Sequence, residues 1–112
     1  MNNEERAAKA ESLLTEGRTY PKGCSEFVAA VLSIPWESAN SLLGDQPTPA
    51  GTNGVYQLSR GDIVGWKGSS EGGHVAVFVG GAQQFIDVRN PGAAPRRLTS
   101  YGTQQVYKSS RC

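Results

Sequence analysis

The stretch GHVAVFVGGAQQFIDV, residues 73–88, decides the fold of this chain. Residues 74–79 form a valine-rich run of strand length, and the glycine pair at 80–81 fits a tight hairpin that leads into a second strand over 84–88. Further strand signals lie on either side, at 55–58, 63–66 and 105–108, with a weaker one near 97–98. The second half of the chain is therefore predicted to form an antiparallel meander.

The residues before this sheet predict helices. We expect one over about 3–16 that Asn3 caps, a buried one over 24–32, and a short one over 36–43. The segment 44–54 is rich in proline and glycine, and we expect it to be a loop within one domain. Helices that precede an antiparallel sheet predict an α+β fold, with N-terminal helices packed on a central sheet.

Length and charge limit the classes of function. The chain has 112 residues, which is enough for one core and predicts a single domain, 1–112. Eleven basic and ten acidic side chains leave a net charge of +1, so we expect neither a nucleic-acid nor a membrane partner. Residues 1–14 are polar, and no apolar run has the length of a signal peptide or a membrane span. We therefore expect a product made in the cytoplasm without a signal peptide.

One cysteine and the single histidine form a candidate nucleophile and base. Cys24 opens the predicted helix 24–32, where the positive end of the helix stabilises a thiolate. An imidazole such as that of His74 can accept the thiol proton and later protonate a leaving amine. Two other interpretations remain open, because Cys24 is also consistent with a small buried residue or with a disulfide to Cys112.

The side chains of the strand at 74–79 alternate between two faces. His74 shares its face with Ala76 and Phe78. We expect the helix 24–32 to cover this face, which would bring the imidazole close to the thiol. The alternative is a histidine that is hydrogen-bonded in the core without a chemical role.

Asp87 is the candidate third member of the site. A carboxylate inside an apolar strand is costly unless it is paired. A hydrogen bond across the hairpin to His74 would orient the imidazole towards the thiol. The alternatives are that Asp87 faces solvent or pairs with Arg89 or Arg97, in which case Asn90 is the spare candidate.

The remaining candidates are assigned less directly. Tyr20 and Ser25 flank the nucleophile and are candidates for binding the oxyanion or the substrate, with packing as the alternative for Tyr20. Asp62 is predicted to cap the start of a strand. We expect Trp36 and Trp66 to pack in the core in preference to lining a cleft. One histidine and two distant cysteines do not form a ligand cluster, so we expect no metal and no cofactor.

Four blocks of sequence resemble the NlpC-type cell-wall cysteine peptidases, over about residues 20–90. They are GCSEFVAAVL at 23–32, SRGDIVGW at 59–66, GHVAVFVGG at 73–81 and FIDV at 85–88. This resemblance implies a papain-like α+β fold with Cys24 as nucleophile, His74 as base and Asp87 as the orienting residue. Two positions differ from the family pattern: Gly23 replaces an aspartate before the nucleophile, and Asp87 stands where a histidine is common.

The resemblance also implies a substrate. Members of this family cut amide bonds in peptidoglycan stem peptides, so the chain is expected to be a peptidoglycan amidase. The bond would be either D-glutamyl-diaminopimelate or diaminopimelate-D-alanine. The small catalytic domain looks most like the amidase effectors of type VI secretion systems, which are injected into the periplasm of a rival cell and are paired with an immunity protein. A phage lysin is the other type of enzyme that reaches the cell wall without a signal peptide.

Two further classes of function remain open. The same nucleophile would serve a cysteine protease, deamidase or acyltransferase that acts on a protein or a lipid. A binding domain without catalytic activity, in which the two cysteines form a disulfide, is the alternative outside the enzymes.

Overall fold

The helices precede the strands along the chain, as the sequence predicts. The computed structural model describes residues 1–69 and 72–111. Within these residues the helices are α1 (Asn3–Glu16), α2 (Cys24–Leu32) and α3 (Ala39–Leu43), and the strands are β1 (Thr48–Thr52), β2 (Val55–Tyr56), β3 (Ile63–Trp66), β4 (His74–Phe78), β5 (Phe85–Asp87), β6 (Arg96–Leu98) and β7 (Val106–Lys108). The predicted α+β class is confirmed. None of the described helices has the length and hydropathy needed to cross a bilayer.

Helix α1 is capped one residue earlier than predicted. Asn2, and not Asn3, is the N-cap: its side chain accepts a 2.8 Å hydrogen bond from the N–H of Glu5, and its own N–H donates to the Glu5 carboxylate at 2.9 Å. This reciprocal pair is a capping box. On the inner face of α1, the buried Arg6 donates a 2.9 Å hydrogen bond from Nε to the carbonyl oxygen of Gly61. Helix α1 is thereby attached to the turn that leads into β3.

Helix α2 has the predicted bounds. Its N-cap is Gly23, whose φ of 76° is readily available only to glycine. Phe27, Val28 and Val31 lie at helical spacing and are completely buried. The helix ends at Ser33, which adopts the left-handed conformation. The predicted central, buried helix is therefore present.

Helix α3 is shorter than predicted. The hydroxyl group of Ser38 accepts a 3.2 Å hydrogen bond from the N–H of Ser41, and Ser38 itself is extended. This cap fixes the first helical residue at Ala39, so that Trp36 lies outside the helix with 48% of its surface exposed. The prediction that Trp36 packs in the core is wrong.

The sheet has the strand order β2-β1-β7-β3-β4-β5-β6, and each neighbouring pair is antiparallel. Strand β1 falls in the segment 44–54 that was expected to be a loop, and that expectation is wrong. It pairs with β7, and its register shifts between Pro49 and Gly51. Proline and glycine are rare in regular strands, but this irregularity lets the backbone pair on both sides of them.

The two faces of the sheet carry separate apolar clusters. The helices cover the face of Val75, Val77 and Val79, together with Ile86 and Val88 from the next strand. Ala76 and Phe78 belong to the second cluster, which contains no residue of α2. The expectation that α2 covers the face of His74, Ala76 and Phe78 is therefore wrong. Both faces of β4 are apolar, so the alternation alone does not say which one the helix takes.

Candidate active site

Cys24 is the first residue of α2, and the loop before it is hydrogen-bonded to the turn that follows β5. The carbonyl oxygen of Tyr20 accepts hydrogen bonds from the N–H groups of Gly23 at 2.9 Å and Gly92 at 2.8 Å, and the N–H of Tyr20 donates to Ala93 at 3.0 Å. These bonds join the loop before α2 to the turn that follows β5. No side chain of the described residues caps the helix, so the first-turn N–H groups give the thiol a positive helix end.

His74 is the first residue of β4 and lies directly opposite Trp66 in β3. The indole ring packs against the imidazole, with ring centroids 5.0 Å apart and planes inclined by 34°. The Nε2 atom of His74 lies 2.7 Å from Oδ2 of Asp87. Since His74 stands at the very start of its strand, its ring reaches the N-terminus of α2 although the rest of its face points away from that helix.

Asp87 lies at the end of β5 and is completely buried. Besides His74, two donors contact its carboxylate: Nε of Arg96 at 2.8 Å from Oδ1 and the hydroxyl group of Tyr101 at 2.5 Å from Oδ2. Burial acts to raise the pKa of Asp87, but the hydrogen bonds of these three donors outweigh it and lower the pKa to about 2. Asp87 is therefore a carboxylate at neutral pH.

The thiol of Cys24 and the imidazole of His74 shift each other's pKa. Burial acts to raise the pKa of Cys24, but the hydrogen bond and charge of His74, with a further hydrogen bond from the backbone of Val75, lower it below its usual range. Burial acts to lower the pKa of His74, whereas hydrogen bonds with Asp87 and Cys24 raise it to about 9. Because Nε2 is bound to Asp87, Nδ1 is the ring nitrogen left for the thiol. This arrangement favours a thiolate beside an imidazolium at neutral pH.

A cavity of about 310 Å³ opens at Cys24 and His74. Its walls include Lys22, Trp36 and Arg89. A second cavity, of about 280 Å³, also contains His74 and Arg89 among its lining residues, with the others being Trp66, Asn90, Arg96 and Tyr101. The thiol is thus open to a ligand while the carboxylate behind the imidazole is closed off.

The two residues proposed for the oxyanion or the substrate take different places. Ser25 lines the cavity, and its hydroxyl oxygen accepts a 2.9 Å hydrogen bond from Nε1 of Trp36. Tyr20 does not line the cavity; its side chain is completely buried and packs edge-to-face on Phe27, with ring centroids 5.5 Å apart. Only Ser25 is brought to the cleft, and its hydroxyl group orients the indole at the cleft wall.

The structure gives two other polar candidates, Asp62 and Asn90, no hydrogen bond to Cys24 or His74 within the described residues. The carboxylate of Asp62 accepts hydrogen bonds from the N–H of Ser59 at 2.8 Å and from the side chain of Asn3 at 3.0 Å, which fits its predicted capping role. Asn90 is exposed and lines the second cavity. The imidazole is held by Asp87, so Asn90 is not needed as the spare third residue.

Arg96 and Tyr101 are the site residues that sequence reasoning missed. Trp66, which was expected to pack in the core in preference to lining a cleft, packs against the second apolar cluster and also lines the second cavity beside His74. Strands β5 and β6 place Asp87 directly opposite Arg96, so the alternative partners considered from the sequence, Arg89 and Arg97, were the wrong arginines. The signal for Arg96 was present as a pair of opposite charges on neighbouring strands, but it needs the register of that pair. Tyr101 follows β6 in an irregular segment and carried no signal.

Cys24 is a free cysteine in the structure. The alternative of a disulfide to Cys112 falls on a residue outside the described ranges. Within 1–69 and 72–111, His, Cys, Asp and Glu side chains form no group of three or more suited to a metal ion. The chemistry that these groups offer is that of a nucleophilic thiolate with an oriented acid and base.

Comparison with known proteins yields no match for this chain, whether among family models, curated proteins or solved structures. The function is therefore inferred from the residues of the site and their geometry.

Proposed function

We propose that this protein is a cysteine amidase with a papain-like, NlpC-type fold that hydrolyses an amide bond in peptidoglycan stem peptides. The observation that carries the proposal is the chain of contacts from Cys24 at the start of α2, through His74, to the buried carboxylate of Asp87. A thiolate at a helix start, an imidazole held by one nitrogen and a buried carboxylate have the roles of nucleophile, base and orienting group.

The proposed reaction has two halves. The thiolate of Cys24 attacks the carbonyl carbon of the scissile amide, and the resulting oxyanion is bound by first-turn N–H groups of α2, including that of Cys24. Nδ1 of His74 then donates its proton to the departing nitrogen, so that the C–N bond breaks and a thioester and a free amine form. In the second half, water loses a proton to His74 and attacks the thioester, which releases the carboxylic acid and restores the thiolate.

The fixed parts of the site match what each step requires. Asp87 holds a full charge next to Nε2 and so stabilises the imidazolium that must persist until the amine leaves. Ser25 and Trp36 form a hydrogen-bonded wall beside the nucleophile, against which a substrate can lie. The side chain of Tyr20 has no place in this mechanism.

Stem peptides are proposed as the substrate because of the sequence blocks around Cys24, His74 and Asp87. Those blocks resemble the NlpC-type peptidases, and the bond would be D-glutamyl-diaminopimelate or diaminopimelate-D-alanine. By the same resemblance we propose an antibacterial effector that acts in the periplasm of a target cell and is neutralised by a cognate immunity protein. A phage lysin would use the same chemistry on the same substrate.

The test is digestion of purified diaminopimelate-type peptidoglycan, followed by mass spectrometry of the soluble products. We expect the wild type to release fragments that identify the cleaved bond, and Cys24→Ala to release none. Cys112→Ala is the matched control and should act like the wild type. Identical digests from the wild type and Cys24→Ala would reject the wall as substrate, and the same pair of proteins should then be compared on protein and lipid substrates.

A further inference from the structure

The walls of the cavity at Cys24 are cationic. Lys22 and Arg89 both line it, and none of its described lining residues is an aspartate or a glutamate. The ammonium group of Lys22 lies over the ring of Trp36, 4.4 Å from its centroid, which keeps this charge at the cleft. The thiolate and imidazolium of Cys24 and His74 cancel one another, so the two wall residues determine the net charge that a ligand meets.

Neither cation is neutralised within the described part of the chain, where no carboxylate lies within ion-pair distance of Lys22 or Arg89. Among the described residues, the acidic groups close by in sequence form no ion pair with Lys22 or Arg89. Glu26 accepts a 2.8 Å hydrogen bond from the backbone N–H of Lys22, and the carboxylate of Glu37 is bound by Arg111.

Asp87 does not compensate the charge of Arg89 either, although only one residue separates them. Its two oxygens are taken by Arg96, Tyr101 and the imidazole. Arg89 is exposed and lines both cavities that reach His74. Its guanidinium, which is suited to binding a carboxylate, is therefore free to meet a ligand that lies along the cleft.

We propose that Lys22 and Arg89 form a carboxylate-binding subsite, which selects substrates that carry a carboxylate beside the scissile amide. This inference rests on the proposed amide hydrolysis and narrows its substrates. Stem peptides offer such a group in two places: γ-linked D-glutamate keeps a free α-carboxylate, and diaminopimelate keeps one at its second centre, beside the amine that is not bonded to D-glutamate. Amidation of either residue, which removes the charge with little change in size, would then reduce cleavage.

The first experiment needs no substrate. Iodoacetate and iodoacetamide alkylate Cys24 by the same reaction, in which the thiolate sulfur forms the C–S bond and iodide leaves with the electron pair of the C–I bond, but only iodoacetate carries a carboxylate. We expect Lys22→Gln and Arg89→Gln each to lower the ratio of the iodoacetate rate to the iodoacetamide rate by about two- to fivefold. The double variant should lower it further, and high salt should reduce the preference of the wild type.

The controls are Lys9→Gln and Arg97→Gln, which remove equal charges away from the cavity. The charge of His74 is present in all of these proteins, so its effect on the rate ratio is the same in each. The iodoacetamide rate of each variant shows whether the thiol of Cys24 remains reactive. An unchanged ratio in the double variant would overturn the proposal. An equal fall of the ratio in the control variants would also overturn it, because the effect would then reflect net charge alone.

The second experiment compares stem peptides that contain D-glutamate with those that contain D-isoglutamine, and free with amidated diaminopimelate. In one of these two pairs, we expect the wild type to cleave the peptide with the free carboxylate about two- to fivefold faster than the amidated peptide, and the double variant to lose this preference. The pair that shows the difference identifies which carboxylate the subsite binds. Equal rates on both pairs would overturn the subsite as a selector of substrates. Alkylation that depends on Lys22 and Arg89, with no cleavage of any peptide, would support the subsite and reject the wall as substrate.

Discussion

The hydroxyl group of Tyr101 lies 2.5 Å from Oδ2 of Asp87, the same oxygen that contacts the imidazole of His74. Burial, together with the charge and hydrogen bond of Asp87, raises the pKa of Tyr101 well above its usual value, so the phenol stays a donor. A carboxylate oxygen held by a phenol on one side and an imidazole on the other has little freedom to rotate. Tyr101 is therefore a positioning residue for the proposed triad.

The change Tyr101→Phe should lower kcat by about two- to tenfold, because the carboxylate loses one of its fixed donors. With the phenol gone, the imidazolium becomes a stronger partner of Asp87, so the pKa of His74 should rise. The basic limb of the pH-rate profile should then move to higher pH. Tyr107→Phe is the control, and a loss of activity with an unmoved profile would reduce Tyr101 to a packing role.

The change Asp87→Asn should have a larger effect, because the amide keeps the size of the carboxylate but removes its charge. The pKa of His74 should fall from about 9 towards its usual value, and the pKa of Cys24 should rise as the imidazolium is lost. The direct repulsion between Asp87 and the thiolate acts the other way but is the weaker effect. We expect the rate of hydrolysis to fall by about 10²- to 10⁴-fold.

The measurement for Asp87→Asn is the rate of Cys24 alkylation by iodoacetamide as a function of pH. Its midpoint should move to higher pH than in the wild type. Asp45→Asn, at an exposed position, should leave the midpoint in place. An unmoved midpoint in Asp87→Asn would contradict the role of the carboxylate in forming the ion pair.

The same carboxylate should make folding stability depend on pH on the acid side. The pKa of Asp87 is lowered to about 2 in the folded protein, so its contribution is present above its unfolded pKa of about 4 and is lost as pH falls towards 2. The free-energy difference between the wild type and Asp87→Asn should therefore be largest between about pH 4 and pH 6, on the order of 2 kcal/mol, and should shrink towards pH 2. It should also shrink as pH rises towards 9, because the raised pKa of His74 depends on Asp87 and its contribution is lost in that range. Chemical denaturation at several pH values measures this difference, and a difference independent of pH would contradict it.

The change Tyr20→Phe should leave both stability and activity close to those of the wild type. The Tyr20 hydroxyl is buried and makes no hydrogen bond of good geometry within the described residues, although the guanidinium of Arg18 lies 4.9 Å from the centre of its ring. Removing a hydroxyl group without a good partner costs little. Thermal melting and the peptidoglycan digest test both expectations. A selective loss of activity would return Tyr20 to the site as an oxyanion or substrate ligand.

The change Gly23→Ala should be destabilising and should also reduce the reactivity of Cys24. Gly23 has a φ of 76°, and an added Cβ would lie 3.2 Å from the backbone nitrogen of Pro91. We expect a loss of about 1–3 kcal/mol in the free energy of unfolding. Gly102→Ala is the matched control, because Gly102 also has a positive φ but no atom lies within 4 Å of the added Cβ. Equal losses in both variants would show that the contact with Pro91 is unimportant.

Local signals in the sequence were sufficient to predict helix α2 and most of the strands. The bounds of α2 could be predicted because Gly23 opens it and an apolar pattern ends near Leu32 before a proline. Strand β1 could not, because its Pro49 and Gly51 carry the signals of a loop, and its pairing with β7 depends on residues far along the chain. The covered face of β4 could not be chosen either, since both of its faces are apolar.

In the site, too, local sequence signals predicted some residues, whereas others depend on how distant strands pair. Cys24, His74 and Asp87 were found because each stands out from its local surroundings by residue type. Arg96 and Tyr101 look ordinary in the sequence, and they enter the site only through the register of β6 and the path of the segment that follows it.

The backbone hydrogen bonds that Tyr20 accepts from Gly92 and donates to Ala93 join parts of the chain that the ribosome makes at different times. Helix α2 is synthesised early, but its final place beside the turn after β5 becomes available only when that turn has emerged. A nascent chain that ends before His74 and Asp87 lacks the imidazole that lowers the pKa of Cys24 and the carboxylate that holds this imidazole. The low pKa of the thiol therefore arises only after strands β4 and β5 have been made and have packed beside α2.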